Sequence, residues 1–103
     1  MVSQFSSSSD PSLLDTYAWV AVRTGDTKTA VPILTKLVAA NPDVAAFHYH
    51  LGAAYYQASE KVLAKAELER AITLANTQGD FVGIEHARRL LKEILQTPKA
   101  KPL

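Results

Sequence analysis

Three histidines, His48, His50 and His86, carry the side chains of this sequence best suited to chemistry near neutral pH. His48 and His50 are two residues apart, so on a helix their side chains diverge by about 200°, whereas metal ligands on one helix are three or four residues apart. The segment from Leu51 to Ala54 offers no further ligand. We therefore predict no metal site here and expect each ring to lie on a helix surface or to be partly packed.

The sequence also lacks the residues from which a catalytic set is assembled. It contains no cysteine, and its serines fall in the N-terminal segment and at the ends of predicted helices. His86 therefore has no nucleophile to activate, although Glu85 and Arg89 are close to it in sequence. We predict a protein that is not an enzyme and uses no cofactor, in which His86 is an exposed helical residue.

The charge balance indicates that nucleic acid is not the partner. Among 103 residues, 11 Lys and Arg stand against 10 Asp and Glu, a formal net charge of +1, which is too small to attract a polyanion. The densest basic group, Arg88, Arg89 and Lys92, is interrupted by Glu85 and Glu93. No apolar run approaches the roughly 20 residues that span a bilayer, so we also predict no membrane insertion.

Composition and punctuation predict one all-α domain. The chain is rich in alanine and leucine, which favour helix, and no long stretch alternates apolar and polar residues as a strand would. Helix signals separated by glycine and proline predict helices over about residues 12–24, 27–40, 44–58, 60–75 and 81–96. Residues 1–10 are expected to form a flexible Ser-rich lead without signal-peptide features, and residues 97–103 a frayed tail.

Cap residues set the predicted helix starts. Ser12 and Asp15 have the spacing of a capping box, and Asp43 and Asp80 are suited to cap the third and fifth helices. Pro32 would remove a hydrogen bond from the interior of the second helix. We therefore expect that helix to begin late, near Thr29, or to be distorted in its first turn.

The sequence resembles itself when it is shifted along the chain so that Gly25 falls on Ser59. We call this offset, counted in residues, the repeat interval. The shift also pairs Ala30 with Ala64, Leu34 with Leu68, Leu37 with Ala71, and Pro42 with Asn76. A fixed period in the range of about 20–50 residues predicts stacked helical hairpins, because each hairpin alone cannot bury its apolar face.

These positions resemble the tetratricopeptide repeat family. Residues 45–78 are the better match, with Leu51, Gly52, Tyr55, Ala64, Leu68 and Ala71 at the family's spacing. Residues 11–44 keep Ala30, Leu34 and Pro42 but have Tyr17 and Ala18 in place of Leu-Gly. His48 replaces the usual large residue, and Asn76 replaces the closing proline. The resemblance implies two tetratricopeptide hairpins, 11–44 and 45–78, and a capping helix over 80–96, forming a right-handed solenoid of five helices.

Two strings are similar to a narrower group, the C-terminal repeats of bacterial tetratricopeptide proteins associated with exosortase (PEP-CTERM) sorting and exopolysaccharide production. They are LDTYAWV at residues 14–20 and HYHLG at residues 48–52. The likeness implies that this chain is the final segment of a long exported array. The localisation therefore stays open between the cytoplasm and, for such a fragment, an exported or periplasmic location.

The tetratricopeptide resemblance also implies where a partner would bind, since the first helix of each hairpin lines a concave groove in that family. Carried onto this sequence, the groove positions are Ser12, Asp15, Trp19, Val22 and Arg23, and Ala46, Tyr49, Ala53, Tyr56 and Gln57. The residues that we expect to bind a protein or peptide partner are Asp15, Trp19, Val22, Arg23, Tyr49, Tyr56 and Gln57. The family's Lys and Asn clamp for a C-terminal carboxylate is missing, because its positions hold Asp15, Trp19 and His50.

The predicted function is therefore protein–protein interaction, as a binding or scaffold module of a longer repeat protein. One alternative is a structural end-cap of a longer array, with its groove rings packed against preceding repeats or against the segment around Phe5. Leu13, Leu14 and Val20 are expected to leave apolar surface open on the first helix, which predicts weak self-association.

Overall fold

Five α-helices make up the fold of the chain, and the computed structural model describes residues 10–96 of it. The helices are α1 (Pro11–Arg23), α2 (Thr27–Ala40), α3 (Ala45–Gln57), α4 (Lys61–Gln78) and α5 (Ile84–Gln96). The described range contains no strand, so the all-α prediction is confirmed. The predicted lead, apart from Asp10, and the predicted tail lie outside the described residues.

Helix α3 is the centre of the packing. Each helix packs against the next one in sequence, and α3 also contacts α1 and α5, so that it touches all four other helices. Helices α2 and α4, both described in full, do not contact each other. The sequence of α3 is apolar on nearly every side, as a helix surrounded by others requires, and its buried residues are Ala45, Phe47, His48, Tyr49, Leu51, Gly52, Ala53 and Ala54.

The helix positions recur at the repeat interval seen in the sequence. Helix α3 begins and ends one repeat interval after α1, and α4 begins one repeat interval after α2. The two largest fully buried side chains, Leu34 and Leu68, are separated by the same interval. Gly25 and Ser59, which define it, both have positive φ, at 86° and 66°. The two interhelical turns thus share a left-handed residue at the same position, although only glycine adopts that geometry without strain.

Small side chains allow the helices of each pair to approach closely. Ala18, Ala30 and Ala64 are fully buried. A Cβ atom built on Gly52 would lie 2.7 Å from Cγ of Leu68, closer than two carbon atoms can pack. The size pattern in the sequence therefore corresponds to real contacts between α3 and α4.

The helix starts differ from the predicted caps. Asp10, and not the Ser12–Asp15 pair, caps α1, since its carboxylate accepts a hydrogen bond of 3.0 Å from the backbone N–H of Ser12. Asp43 does not cap α3; Val44 is the N-cap and offers no side-chain hydrogen bond. The Asp43 carboxylate instead lies 3.7 Å from the guanidinium of Arg70.

Pro32 neither delays nor breaks the second helix. Helix α2 starts at Thr27 and runs through Pro32, with Asp26 as its N-cap bonded to the N–H of Thr29. Pro32 and Lys28, whose carbonyl loses its N–H partner, are both on the exposed side of α2. Water can replace the missing bond there, so the helix tolerates the proline.

The last two helix boundaries are shifted by tertiary contacts. Helix α4 continues to Gln78, beyond the predicted Ala75, and the Gln78 side-chain amide donates a hydrogen bond to the carbonyl oxygen of Asp43. Helix α5 starts at Ile84, because Gly83 has a φ of 97° and cannot be helical. No helix within residues 10–96 is both long and apolar enough to cross a membrane.

Candidate functional site

A cavity of about 470 Å³ opens between α1, α3 and α5. Its walls are aromatic and aliphatic with a few polar groups, a composition typical of ligand pockets. The lining residues are Trp19, Val22, Arg23, Tyr49, Ala53, Tyr56, Gln57, His86 and Leu90. The first and third helices therefore meet at one concave surface, and α5 closes its far side.

The predicted groove residues are mostly together at this cavity. Six of the seven expected partner-binding residues line it: Trp19, Val22, Arg23, Tyr49, Tyr56 and Gln57. Asp15 does not; its carboxylate accepts a hydrogen bond of 2.6 Å from Nδ1 of His50. Of the further groove positions, Ala53 lines the cavity, whereas Ser12 and Ala46 are not among its lining residues.

The imidazole of His50 covers one face of the Trp19 indole. The two rings are stacked, with centroids 4.1 Å apart and an interplanar angle of 22°. Asp15 fixes the imidazole through the hydrogen bond described above, and Tyr49 lies 5.3 Å from the Trp19 ring on another side. The indole is half-buried and its orientation is set by neighbours, so it is a preorganised surface for contact.

Tyr49 forms the deep part of the cavity and is only 3% exposed. Its hydroxyl lies 2.7 Å from Nδ1 of His86. Burial lowers the pKa of His86, and the positive charge of Arg89 adds to this effect. A neutral His86 accepts the hydrogen bond that the Tyr49 hydroxyl donates.

His86 and Leu90 are the lining residues that the sequence interpretation missed. His86 was expected to be exposed, but α5 turns it toward Tyr49 and leaves it half-buried. The available signal was the spacing of four residues from His86 to Leu90, which places both on one helix face. That face could be recognised as part of the cavity only once α5 was known to pack against α3.

The mouth of the cavity is polar. The Tyr56 hydroxyl donates a hydrogen bond of 2.7 Å to the carboxylate of Glu93, joining α3 to α5. This bond, followed by burial, raises the pKa of the Tyr56 hydroxyl. Arg23 and Gln57 are exposed at the mouth, on α1 and α3.

His48 lies outside the cavity and has a structural role. It is 5% exposed, so of the two predicted environments it occupies a packed one. Its Nδ1 donates to the carboxylate of Glu67 and its Nε2 to the carbonyl oxygen of Pro42, each at 2.7 Å. Because both partners can only accept, both ring nitrogens carry a proton and the ring is cationic.

The cavity offers a ligand apolar contact, ring stacking and hydrogen bonds from its mouth. Within residues 10–96, no cluster of three His, Asp or Glu side chains could hold a metal ion. The three histidines have separate partners, namely Glu67 and Pro42, Asp15 with Trp19, and Tyr49. No protein-family model, curated protein or solved structure matches this chain.

Proposed function

We propose that the chain is a tetratricopeptide-type interaction module that binds a peptide segment of a partner protein in the cavity between α1, α3 and α5. In this proposal α1–α2 and α3–α4 are two hairpins of a right-handed solenoid, and α5 is the capping helix. The single observation that carries the binding proposal is the grouping of six predicted partner-binding residues around one open cavity.

The repeat assignment is supported by equivalences between the two hairpins. In each turn a backbone N–H donates a hydrogen bond to the carbonyl oxygen five residues earlier. The N–H of Asp26 donates to Ala21, and the N–H of Glu60 donates to Tyr55. The helix starts, the left-handed turn residues and the fully buried leucines all recur at the repeat interval. A common interval at the level of backbone geometry and of burial favours two copies of one structural unit.

The binding role is supported by the type of residue in the cavity. Trp19, Tyr49 and Tyr56 are aromatic, and Arg23 stands at the mouth; tryptophan, tyrosine and arginine are the residues enriched at binding hot spots. Trp19 and Tyr49 are already fixed by ring contacts. Little side-chain entropy is therefore lost when a ligand is bound.

Replacing Trp19 by alanine should abolish most of this binding. We would select peptides on the wild-type protein from a random linear-peptide display library, synthesise the enriched ones with a fluorophore, and measure anisotropy. Loss of a central aromatic contact typically costs about 2 kcal/mol, so we expect Trp19→Ala to bind about 30-fold more weakly.

Tyr17→Ala is the matched control for this measurement. Tyr17 is an exposed aromatic residue on the same helix and does not line the cavity, so its substitution should leave the affinity unchanged. Circular dichroism melting of both variants separates loss of binding from loss of folding. The proposal fails if no peptide is enriched, or if the two folded variants bind the selected peptides equally well.

A second candidate function, the end-cap of a longer array, is favoured by the outer face of α1. Leu13, Tyr17 and Val20 are each more than half exposed there, whereas Leu14 is half-buried against the core. The residues one repeat interval later, on α3, are buried in the core: Phe47, Leu51 and Ala54. Other helices cover this face of α3. The equivalent face of α1 would therefore fit a further helical hairpin that precedes α1 in sequence.

An uncovered α1 face should make the protein self-associate weakly. Sedimentation equilibrium of the wild-type chain should show an apparent mass that rises with concentration, because an exposed apolar stripe favours association. The triple variant Leu13→Ser, Tyr17→Ser and Val20→Ser should remain a monomer.

Three other exposed apolar residues provide the control for sedimentation. They are Val62, Leu63 and Leu95, and their replacement by serine removes a comparable apolar area without touching α1. A wild-type chain that stays monomeric at every concentration, or a control variant that dissociates as well as the α1 variant, would contradict the assignment of this face.

A further inference from the structure

The charged residues around the cavity indicate which kind of peptide the cavity would bind. Arg23 lines the cavity on α1, and Arg89 stands on α5, one turn from the lining residue His86. Burial raises the pKa of the Tyr49 hydroxyl, and the positive charges of Arg23 and Arg89 oppose this. Arg89 is exposed and stands one turn before Glu93, whose carboxylate takes the Tyr56 hydrogen bond at the mouth. The two guanidinium groups therefore border the cavity from two different helices.

These two cations have no carboxylate partner among the described residues. The ion pairs within residues 10–96 are His48–Glu67, His50–Asp15, Lys65–Glu69 and Arg70–Asp43, and none of them includes either arginine. Two carboxylates do lie near the cavity, but each accepts a hydrogen bond from another group, Asp15 from His50 and Glu93 from Tyr56. Arg23 at the mouth and Arg89 beside it on α5 are thus exposed guanidinium groups with donors to offer.

We propose that the cavity binds a short acidic–hydrophobic peptide segment, with an aliphatic or aromatic side chain between Trp19, Tyr49 and Tyr56 and flanking carboxylates at Arg23 and Arg89. This inference rests on the function proposed above. The exposed Gln57 amide beside Tyr56 offers a donor and an acceptor to the backbone of such a segment. A guanidinium can bind a carboxylate through two parallel hydrogen bonds, which favours Asp or Glu over neutral polar residues.

A cavity of this kind favours one anchored side chain over a polyanion. Its volume of about 470 Å³ is in the range of pockets that enclose a small ligand, so it has room for one apolar side chain. Val22, Ala53 and Leu90 are buried parts of its wall, and these side chains give no hydrogen bonds to phosphates. The formal net charge of the whole chain is only +1, so cationic attraction is local to the mouth.

The test uses the peptides selected from the display library on the wild-type chain. We expect the enriched peptides to carry Asp or Glu next to Leu, Phe or Trp. The double variant Arg23→Gln and Arg89→Gln should bind them about tenfold more weakly, as the loss of two exposed ion pairs implies. A peptide with Asp and Glu changed to Asn and Gln should bind the wild-type chain as weakly as the acidic peptide binds the double variant.

The matched control is the double variant Lys28→Gln and Lys36→Gln, which changes the net charge equally. Both lysines are exposed on α2, which contributes no lining residue, so the affinity should stay within twofold of wild type. The inference is overturned if this control weakens binding as much as the arginine variant does, or if neutral peptides bind as well as acidic ones. It is also overturned if single-stranded RNA competes as well as the acidic peptide, which would assign the mouth to nucleic acid.

The two proposals fail in different ways. If Trp19→Ala removes binding while the arginine variant does not, the cavity is a peptide site without acidic preference. If neither substitution changes binding, or no peptide is enriched, the proposed function itself is wrong.

Discussion

Replacing His48 with alanine is expected to lower the free energy of unfolding by about 3 kcal/mol at a pH below 6.5. The buried imidazolium donates one hydrogen bond to Glu67 on α4 and one to the carbonyl oxygen of Pro42 before α3. Alanine leaves both acceptors without their donor, and the Glu67 side chain is only 24% exposed. Urea denaturation of the variant and of the wild-type chain measures the difference.

The His48 contribution should depend on pH. Burial alone would lower its pKa, but the hydrogen bonds to Glu67 and Pro42, together with the negative charge of Glu67, outweigh burial, and the pKa in the folded state is raised above 6.5. A base whose pKa is raised by folding stabilises the folded state fully at a pH below its unfolded-state pKa. This contribution is lost as the pH rises through its folded-state pKa. The difference between wild type and His48→Ala should therefore shrink in alkaline solution.

A double-mutant cycle separates the ion pair from the loss of packing. Without Glu67, burial and the positive charge of Arg70 would both lower the pKa of His48, so Glu67→Ala alone should reverse part of the pH dependence. The double variant His48→Ala and Glu67→Ala should cost less than the sum of the single variants. Additive effects, or a difference that does not change with pH, would mean that the pair is not a charged interaction.

Replacing Leu68 with alanine is the second substitution for which we expect a large effect. It should lower the free energy of unfolding by about 2–5 kcal/mol. Leu68 is fully buried in α4, and its Cγ lies in the space where Gly52 has no side chain. Truncation therefore leaves a void next to a backbone that carries no atoms to fill it. The same denaturation experiment measures the loss.

Leu63→Ala is the matched control on the same helix. Leu63 is 46% exposed, so the same truncation removes less buried area and should cost under half as much. Both substitutions change a leucine of α4 to the same residue, so helix propensity cancels between them. Equal losses would mean that the assigned face of α4 does not face the core.

The helices could be predicted from local sequence because their signals are local. Gly25 ends α1 where a left-handed residue is required, and the apolar positions that recur at the repeat interval are the buried ones. The predicted start of α5 was wrong, because the true start depends on a contact between residues that are far apart in sequence. A Cβ atom on Gly83 would lie 2.6 Å from the ring of Tyr49, and the sequence around Gly83 does not report that contact.

The histidines show the same limit at the candidate site. Spacing on one helix correctly indicated that His48 and His50 point in different directions, but it did not indicate what each of them faces. The partners of His48 include Glu67, 19 residues away, and His86 meets Tyr49 across 37 residues. Long-range pairs of this kind follow from how α4 and α5 pack on α3. The tetratricopeptide assignment and the binding function stay predictions until the experiments above are done.

The cavity is shared between helices at opposite ends of the described chain. Helices α1 and α5 do not pack against each other; each is attached to α3. A ligand held by Trp19 on α1 and Leu90 on α5 would bridge these outer helices, so occupancy and folding would be thermodynamically linked. A ligand specific for the folded state stabilises it by RT ln(1 + [L]/Kd). The abundance of this protein in a cell would then follow the concentration of its partner, because unliganded molecules would be the first that proteases remove.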